Sequence, residues 1–163
     1  TEVELLFLSG EEIGVEGSWA LARQRYRQPP PVPTAMINLE GLGTTADLAV
    51  LGRESFALRS FQPAPALVAA ADAVHRYQRG KPLWVTWYSG GTDARSFLAH
   101  DIPAMTLIAD PPGHPLQRDL HSAVDTRGLL QNVALQAHLD FLERLLREIE
   151  TPALSATADR SAP

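Results

Sequence analysis

The chain is organised around the stretch Leu6-Phe7-Leu8-Ser9-Gly10-Glu11-Glu12-Ile13-Gly14-Val15-Glu16-Gly17-Ser18. The apolar run at its start predicts a buried strand, and two adjacent carboxylates, Glu11 and Glu12, follow that strand at once. Ser18 predicts the N-cap of a helix that extends to Tyr26. This strand, turn and helix open an alternating pattern that continues along the chain and is typical of α/β folds.

Glu11 and Glu12 follow a strand at the position where open α/β sheets place their ligand sites. Adjacent residues in an extended segment point in different directions, so one carboxylate can hold a metal while its neighbour faces water or substrate. A plainer interpretation is that both residues start a solvated turn near a helix N-terminus, where acidic side chains are favourable. For the pair taken alone, this plainer interpretation is favoured.

Length and composition restrict the class of protein. The 163 residues suit one domain with a sizeable core, and the net charge of −5 gives no basic surface for nucleic acid. The chain has no cysteine, which excludes disulfides and thiolate ligands, so any metal must be held by His, Asp or Glu. No apolar run approaches the ~20 residues that span a bilayer.

Strands and helices alternate along the rest of the chain. The pattern predicts strands at 35–39, 48–51, 83–88 and 103–109, and helices at 65–77, at 95–100 and from about residue 126 to 149. The strands at 35–39 and 48–51 are close enough in sequence to pair as a hairpin. We predict an α/β fold with a mostly parallel, mixed central sheet flanked by helices, over residues 1–150, and a disordered tail at 151–163.

Three further residues lie just after a predicted strand or in a loop before a helix: Glu40, Asp93 and His121. In a parallel sheet such ends gather at one edge, so we expect these side chains to lie near Glu11 and Glu12. Carboxylates and an imidazole from separate loops suit a zinc site without cysteine. Each also has a plainer interpretation: Glu40 ends a strand, Asp93 caps a helix, and His121 is a loop histidine with His114 as a competitor.

Four segments resemble the motifs of the co-catalytic zinc aminopeptidases. Residues 7–18 resemble the family's Gly-Glu-Glu-x-Gly-x-x-Gly-Ser segment, and the segments Ile37–Gly41, Gly91–Asp93 and His121–Thr126 resemble its next three motifs, in the family's order. That family includes bacterial leucyl aminopeptidase, glutamate carboxypeptidase II, glutaminyl cyclase and the non-enzymatic transferrin receptor. Each motif is weak alone, and the four together are specific.

The resemblance implies a zinc-dependent exopeptidase, an aminopeptidase, that hydrolyses N-terminal peptide bonds of a peptide substrate. Glu11 would be the general base for a metal-activated water. Glu12 and His121 would be ligands of one zinc, and Glu40 would be a ligand of the other. Most family members carry Asp where this chain has Glu40, which keeps the carboxylate.

Two more acidic residues match the family's motifs. The resemblance implies that Asp93 lies behind the metal ligands or on the substrate side, and that Asp125 helps to order the His121 loop. These two residues complete the set of candidate site residues.

The family's upstream half, with a zinc-binding His-x-Asp motif and a bridging Asp, has no counterpart here. The chain begins at Thr1, with no room for a signal peptide, and its His138-Leu139-Asp140 lies in the last predicted helix, where it cannot replace that motif. We therefore expect residues 1–150 to be the C-terminal portion of a catalytic domain that is inactive alone. Its partner would be the upstream part of the same domain, which would complete a two-zinc site.

Two alternatives stay open. One is a non-catalytic, receptor-like or structural module of the same fold, and the other is a single-zinc enzyme that resembles glutaminyl cyclase. The sequence is compatible with a homo-oligomer. It leaves the compartment unknown, since relatives are often secreted, periplasmic or membrane-anchored.

Overall fold

The computed structural model describes residues 2–32, 34–56, 58–87, 90–109 and 121–149. In chain order the elements are α1 (Glu16–Arg27), β1 (Met36–Glu40), β2 (Ala49–Leu51), β3 (Glu54–Phe56), β4 (Arg59–Phe61), α2 (Pro65–Arg79), β5 (Trp84–Thr86), α3 (Ala94–Leu98), β6 (Ala104–Ile108), a 3-10 turn (Arg127–Leu129) and α4 (Asn132–Ile149). The predicted tail at 151–163 and the competing His114 lie outside the described residues.

The central sheet has four strands in the order β1-β6-β2-β5. β1 pairs with β6 in parallel and β2 pairs with β5 in parallel, whereas β2 and β6 are antiparallel. The mixed sheet with flanking helices confirms the predicted fold class. The predicted hairpin is wrong, because β6 lies between β1 and β2. Every residue of β6 is buried, and a mostly apolar strand that is buried throughout takes the position with a neighbour on each side.

Helices cover both faces of the sheet. On one face α2 and α4 pack over a core that includes Val50, Leu107 and Phe141. On the other face α1 and α3 pack over β6 around Ala22 and Phe97. Within the described ranges, no helix is long and apolar enough to cross a membrane. The second face is the one that carries the candidate site.

The segment before the acidic turn differs from its prediction as a buried strand. Residues 2–10 form no strand, and the side chains of Leu5 and Phe7 are 79% and 95% exposed. A strand is stabilised by hydrogen bonds to a neighbour, and none of the described strands pairs with this segment. It is held instead by Leu6, which packs against the apolar cluster that includes Phe97, and by an ion pair between Glu4 and Arg25.

The predicted N-cap at Ser18 is also wrong. α1 begins at Glu16 after Val15, whose φ of 58° is left-handed. Ser18 lies inside the helix and is fully buried. Its hydroxyl donates to the carbonyl of Val15 at 3.0 Å and lies 2.9 Å from the hydroxyl of Ser96 in α3. Ser18 therefore joins two helices, which is a tertiary role that local propensity does not reveal.

The last helix begins later than predicted. The chain makes a 3-10 turn at Arg127–Leu129, becomes extended at Leu130, and enters α4 at Asn132. The backbone N–H of Gln131 donates to the carbonyl of Gly43 at 2.8 Å, and its side chain donates to the carbonyl of Thr44 at 2.9 Å. These bonds fix Gln131 to the loop after β1, which explains why regular helix starts only beyond it.

His138 on α4 supports the same loop. The backbone N–H of Gly43 donates to Nδ1 of His138 at 3.2 Å, so the neutral ring carries its proton on Nε2. Nε2 is buried without a hydrogen-bond partner. Burial is the main cause that holds the pKa of His138 below its usual value; the nearby backbone of Thr45 acts in the opposite direction, and the charge of Arg79 lowers the pKa further. The folded protein therefore favours the neutral imidazole.

We expect acidification to destabilise the chain through His138. The unfolded state takes up a proton near the ordinary histidine pKa of ~6.5, whereas the folded state does so at a lower pH. The contribution of neutral His138 to the free energy of unfolding is therefore fully present above about pH 6.5 and is lost as the pH falls towards the folded-state pKa. The free energy of unfolding from urea titrations should fall between about pH 8 and about pH 5.

His138→Asn tests this expectation, because Asn keeps an acceptor near the Nδ1 position and cannot ionise. The pH dependence should be smaller in His138→Asn than in the parent chain. His138→Leu serves as control, since it leaves the Gly43 N–H unpaired and should lower stability at both pH values. An unchanged pH dependence in His138→Asn would contradict the account.

Candidate functional site

The candidate residues do not all follow strands that run in the same direction, as the prediction assumed. β5 runs opposite to β1, so Asp93 and Glu40 follow strands whose carboxyl ends lie at opposite edges. The chain after β5 returns across the face and brings the Thr92 hydroxyl within 2.7 Å of that of Thr106, in the middle of β6. This return path places Asp93 near Glu40.

The acidic turn is shaped by its glycines and its backbone hydrogen bonds. The N–H groups of Gly14 and Val15 donate to the carbonyl of Glu11 at 3.1 and 3.0 Å. The N–H of Gly17 donates to the carbonyl of Ser9 at 3.0 Å, and a Cβ atom at Gly17 would lie 2.5 Å from that same oxygen. Only glycine permits this approach, which fixes the two carboxylates at the start of α1.

Glu12 and His121 are in direct contact, although 109 positions separate them in sequence. The Nε2 atom of His121 lies 3.0 Å from Oε1 of Glu12, and both side chains are exposed. An exposed pair of this kind adds little stability, ~0–1 kcal/mol. His121 also has a left-handed φ of 60°. The contact brings together the first and last of the four sequence motifs.

Glu11 is half-buried beside this pair. Partial burial is the main cause that raises its pKa, and the negative charges of Glu12 and Asp93 raise it further. The positive charge of Arg95 and the His121 ring act in the opposite direction. A carboxylate with a raised pKa is a better proton acceptor at neutral pH, which suits a general base.

Glu40 ends β1 and lies within range of the same charges. The side-chain amide of Asn38 donates to its Oε1 atom at 2.8 Å. Burial raises the pKa of Glu40, the Asn38 hydrogen bond lowers it, and the charges of Glu11, Asp93 and Glu54 raise it. Glu40 therefore belongs to a cluster of carboxylates whose repulsion a cation would relieve.

Asp93 does not act as a helix cap. It precedes α3 but makes no side-chain hydrogen bond to that helix, so the plainer interpretation of this residue is wrong. Its Oδ1 atom is buried and has no hydrogen-bond partner. Its charge acts on both Glu11 and Glu40. Asp93 therefore has a buried acceptor without a donor, close enough to Glu11 and Glu40 for its charge to act on both.

Asp125 lies in the turn that follows His121. Its backbone N–H donates to the carbonyl of Ser122 at 3.2 Å, and its side chain is exposed. The residue shapes the turn through its backbone, and its role beside His121 stays a prediction.

Comparison with known proteins identifies the family. A family model described as "Peptidase family M28" matches residues 1–146. The chain belongs to peptidase family M28. No curated protein matches the chain.

Solved structures with the same fold include two bacterial aminopeptidases. The M28 chain resembles the aminopeptidase from Aneurinibacillus sp. strain AM-1 with 21% identity and a TM-score of 0.63, over 86% of this chain and 32% of that one. It resembles the Legionella pneumophila LapA aminopeptidase with 18% identity and a TM-score of 0.63, over 88% of this chain and 38% of that one. The chain thus spans about a third of these structures.

The described side chains of this M28 chain suit zinc in type, but by themselves they do not form a complete set of ligands. Carboxylate oxygens and imidazole nitrogens are common zinc ligands. The buried Oδ1 atom of Asp93 has no hydrogen-bond donor, so a cation near it would be favourable. Glu12 and His121 are close enough to share one ion. Among the described residues, however, no three His, Asp or Glu side chains lie close enough together to hold a metal.

One acidic residue of the M28 chain was not among the predicted site residues. Glu54 begins β3 two residues after Gly52, and it is almost fully buried. The signal that selected Glu40, a carboxylate just beyond an apolar strand, applies equally to Glu54. It belongs to the β3–β4 hairpin, which the sequence did not predict, and its buried partners are Thr92 and Thr106.

Proposed function

We propose that the protein containing this chain is a zinc-dependent aminopeptidase. The observation that carries the proposal is the arrangement of four motifs on one sheet face, with the Glu12–His121 contact beside Glu11 and Glu40. Membership of peptidase family M28 and the fold shared with bacterial aminopeptidases support it.

In this proposal Glu11 moves the proton. Its half-buried carboxylate would take a proton from the attacking water and deliver it to the amine that leaves when the peptide bond breaks. The neighbouring charges of Glu12 and Asp93 favour proton uptake, since they raise the pKa of Glu11. Glu11 would therefore serve first as base and then as acid.

Glu12, Glu40 and His121 would hold the metal. Zinc, when bound, supplies a positive charge that polarises the peptide carbonyl and makes the water more acidic. Asn38 orients Glu40 through its 2.8 Å hydrogen bond, and the glycine-shaped turn positions Glu12. Asp93 would lie behind the ligands or face the substrate.

The described residues supply part of such a site. The chain covers 32% and 38% of two solved aminopeptidases, and its described side chains do not assemble three metal ligands. We therefore propose that residues 1–150 form the C-terminal portion of the catalytic domain and are inactive alone. The upstream portion would be their partner and would supply the remaining ligands.

A second candidate is a single-zinc enzyme of the glutaminyl-cyclase type. The direct contact between Glu12 and His121 favours it, because this pair alone could form part of a one-metal site. A three-ligand catalytic site would then need one further residue.

Hydrolysis by the full-length gene product tests the proposal. Purified protein is assayed on aminoacyl-para-nitroanilides and on peptides with an N-terminal glutamine, before chelation, after chelation and after zinc is restored. Zinc-dependent release of nitroaniline supports the aminopeptidase, and cyclisation of glutamine supports the alternative. A protein that turns over neither substrate with zinc restored contradicts both and favours a non-catalytic module.

A further inference from the structure

Glu54 forms a buried hydrogen-bonded network under the candidate site. Its Oε2 atom accepts from the backbone N–H of Thr92 at 2.7 Å. Its Oε1 atom accepts from the hydroxyls of Thr92 and Thr106 at 2.9 and 2.6 Å. All three residues are at most 1% exposed. A buried carboxylate with several donors is costly to disturb, because its partners would lose their acceptor.

The hairpin that carries Glu54 also holds both ends of the loop around Asp93. The N–H of Ser55 donates to the carbonyl of Gly90 at 3.0 Å, and the guanidinium of Arg95 donates to the carbonyl of Ser55 at 3.3 Å. A Cβ atom at Gly91 would lie 2.5 Å from the carbonyl oxygen of Ser55, so the hairpin and loop are in close contact. The loop can shift only if these contacts break.

We propose that Glu54 is a positioning residue for Asp93. It binds the residue directly before Asp93, on the buried side of the loop, and leaves the Asp93 carboxylate directed at the site. The Asp93 side chain makes no capping hydrogen bond to the short α3, so that helix does not itself fix the carboxylate. The inference rests on the proposed function for its kinetic consequence, whereas its structural consequence is independent of it.

Glu54 acts through its hydrogen bonds, and Glu54→Gln keeps most of them. The amide oxygen of Gln can accept from the Thr92 N–H while its NH₂ group donates to the threonine hydroxyls. Glu54→Ala removes every one of these acceptors. The position of the Asp93 loop therefore depends on whether the side chain of residue 54 can still hydrogen-bond Thr92. Glu54→Gln should keep the loop in place, whereas Glu54→Ala should release it.

The test compares Glu54→Ala, Glu54→Gln and the control Ser60→Ala, which alters an exposed residue on the same hairpin. In the full-length protein, Glu54→Ala should lower kcat or zinc affinity about 10- to 100-fold, as loss of a supporting partner does in metal sites, with KM little changed. Glu54→Gln should recover most of the loss, and Ser60→Ala should match the parent. Amide hydrogen exchange should rise in the peptide that contains residues 91–95 in Glu54→Ala alone.

The outcomes separate this inference from the proposed function. If the parent protein is inactive but exchange at 91–95 still rises only in Glu54→Ala, the proposed function fails and the positioning role stands. The inference is overturned if Glu54→Ala matches the parent in exchange and kinetics. It is equally overturned if exchange rises throughout the chain and Glu54→Gln gives no rescue, because Glu54 would then support the fold in general.

Discussion

Glu11→Gln is expected to lower kcat of the full-length protein by about 10²- to 10⁴-fold, the range typical of a lost general base. Gln has nearly the same shape but cannot accept and return a proton. Because the proposed mechanism assigns Glu11 a place beside the metal ligands and not among them, the zinc content should stay at the parental value. Initial rates on an aminoacyl-para-nitroanilide and elemental analysis of the same preparations measure both quantities.

Glu143→Gln is the matched control, since Glu143 is exposed on α4 and lies outside the candidate site. It should leave both rate and zinc unchanged. A Glu11→Gln protein with parental kcat would remove Glu11 from the mechanism. A Glu11→Gln protein that had lost its zinc would instead make Glu11 a ligand.

Phe97→Ala is expected to lower the free energy of unfolding by about 3–5 kcal/mol. Phe97 is the largest wholly buried side chain of the α1/α3 face, at 1% exposure. Its fully buried neighbours are the small residues Ala22, Ala94 and Ala104, whose side chains are too short to fill the space, and larger apolar side chains pack only at the margin of this cluster. The loss includes the transfer free energy of the ring and the cost of the cavity left behind.

Urea denaturation of the chain measures this effect. Leu58→Ala is the control, because Leu58 is fully exposed and its removal should change stability by no more than about 0.5 kcal/mol. α3 directly follows Asp93, so Phe97→Ala should also increase hydrogen exchange in the loop at residues 90–93. A loss below about 1 kcal/mol would mean that α3 is not anchored through Phe97.

The elements that the sequence predicted correctly are those with strong local signals. α2 follows from apolar residues at helical spacing and ends at Gly80, whose left-handed φ of 69° is the usual helix stop. β6 follows from an apolar run that only Thr106 interrupts. In both cases the local pattern and the tertiary environment require the same structure.

The elements that the sequence failed to predict depend on distant partners. The run at residues 3–8 has the composition of a buried strand, yet without a paired neighbour among the described strands Phe7 is exposed. The order of the strands in the sheet, with β6 between β1 and β2, likewise cannot be predicted from the composition of the strands. The burial of Ser18 arises only because α3 packs on α1.

The residues of the candidate site also fall into those that the sequence predicted and those that it did not. Sequence motifs selected Glu11, Glu12, Glu40, Asp93 and His121, and the structure brings these residues together. They did not select Glu54, because its partners, Thr92 and Thr106, lie 38 and 52 positions away in sequence. Motifs thus indicate residues that meet a ligand, whereas residues that hold those groups in place depend on long-range packing.

The zinc content of the full-length gene product, measured by elemental analysis alongside its intact mass, tests the central claim most directly. A chain longer than 163 residues that holds about two zincs per molecule is the predicted result, in line with paired-metal hydrolases. A gene product that is complete at 163 residues and binds no zinc would contradict the claim that this face is part of a metallopeptidase site.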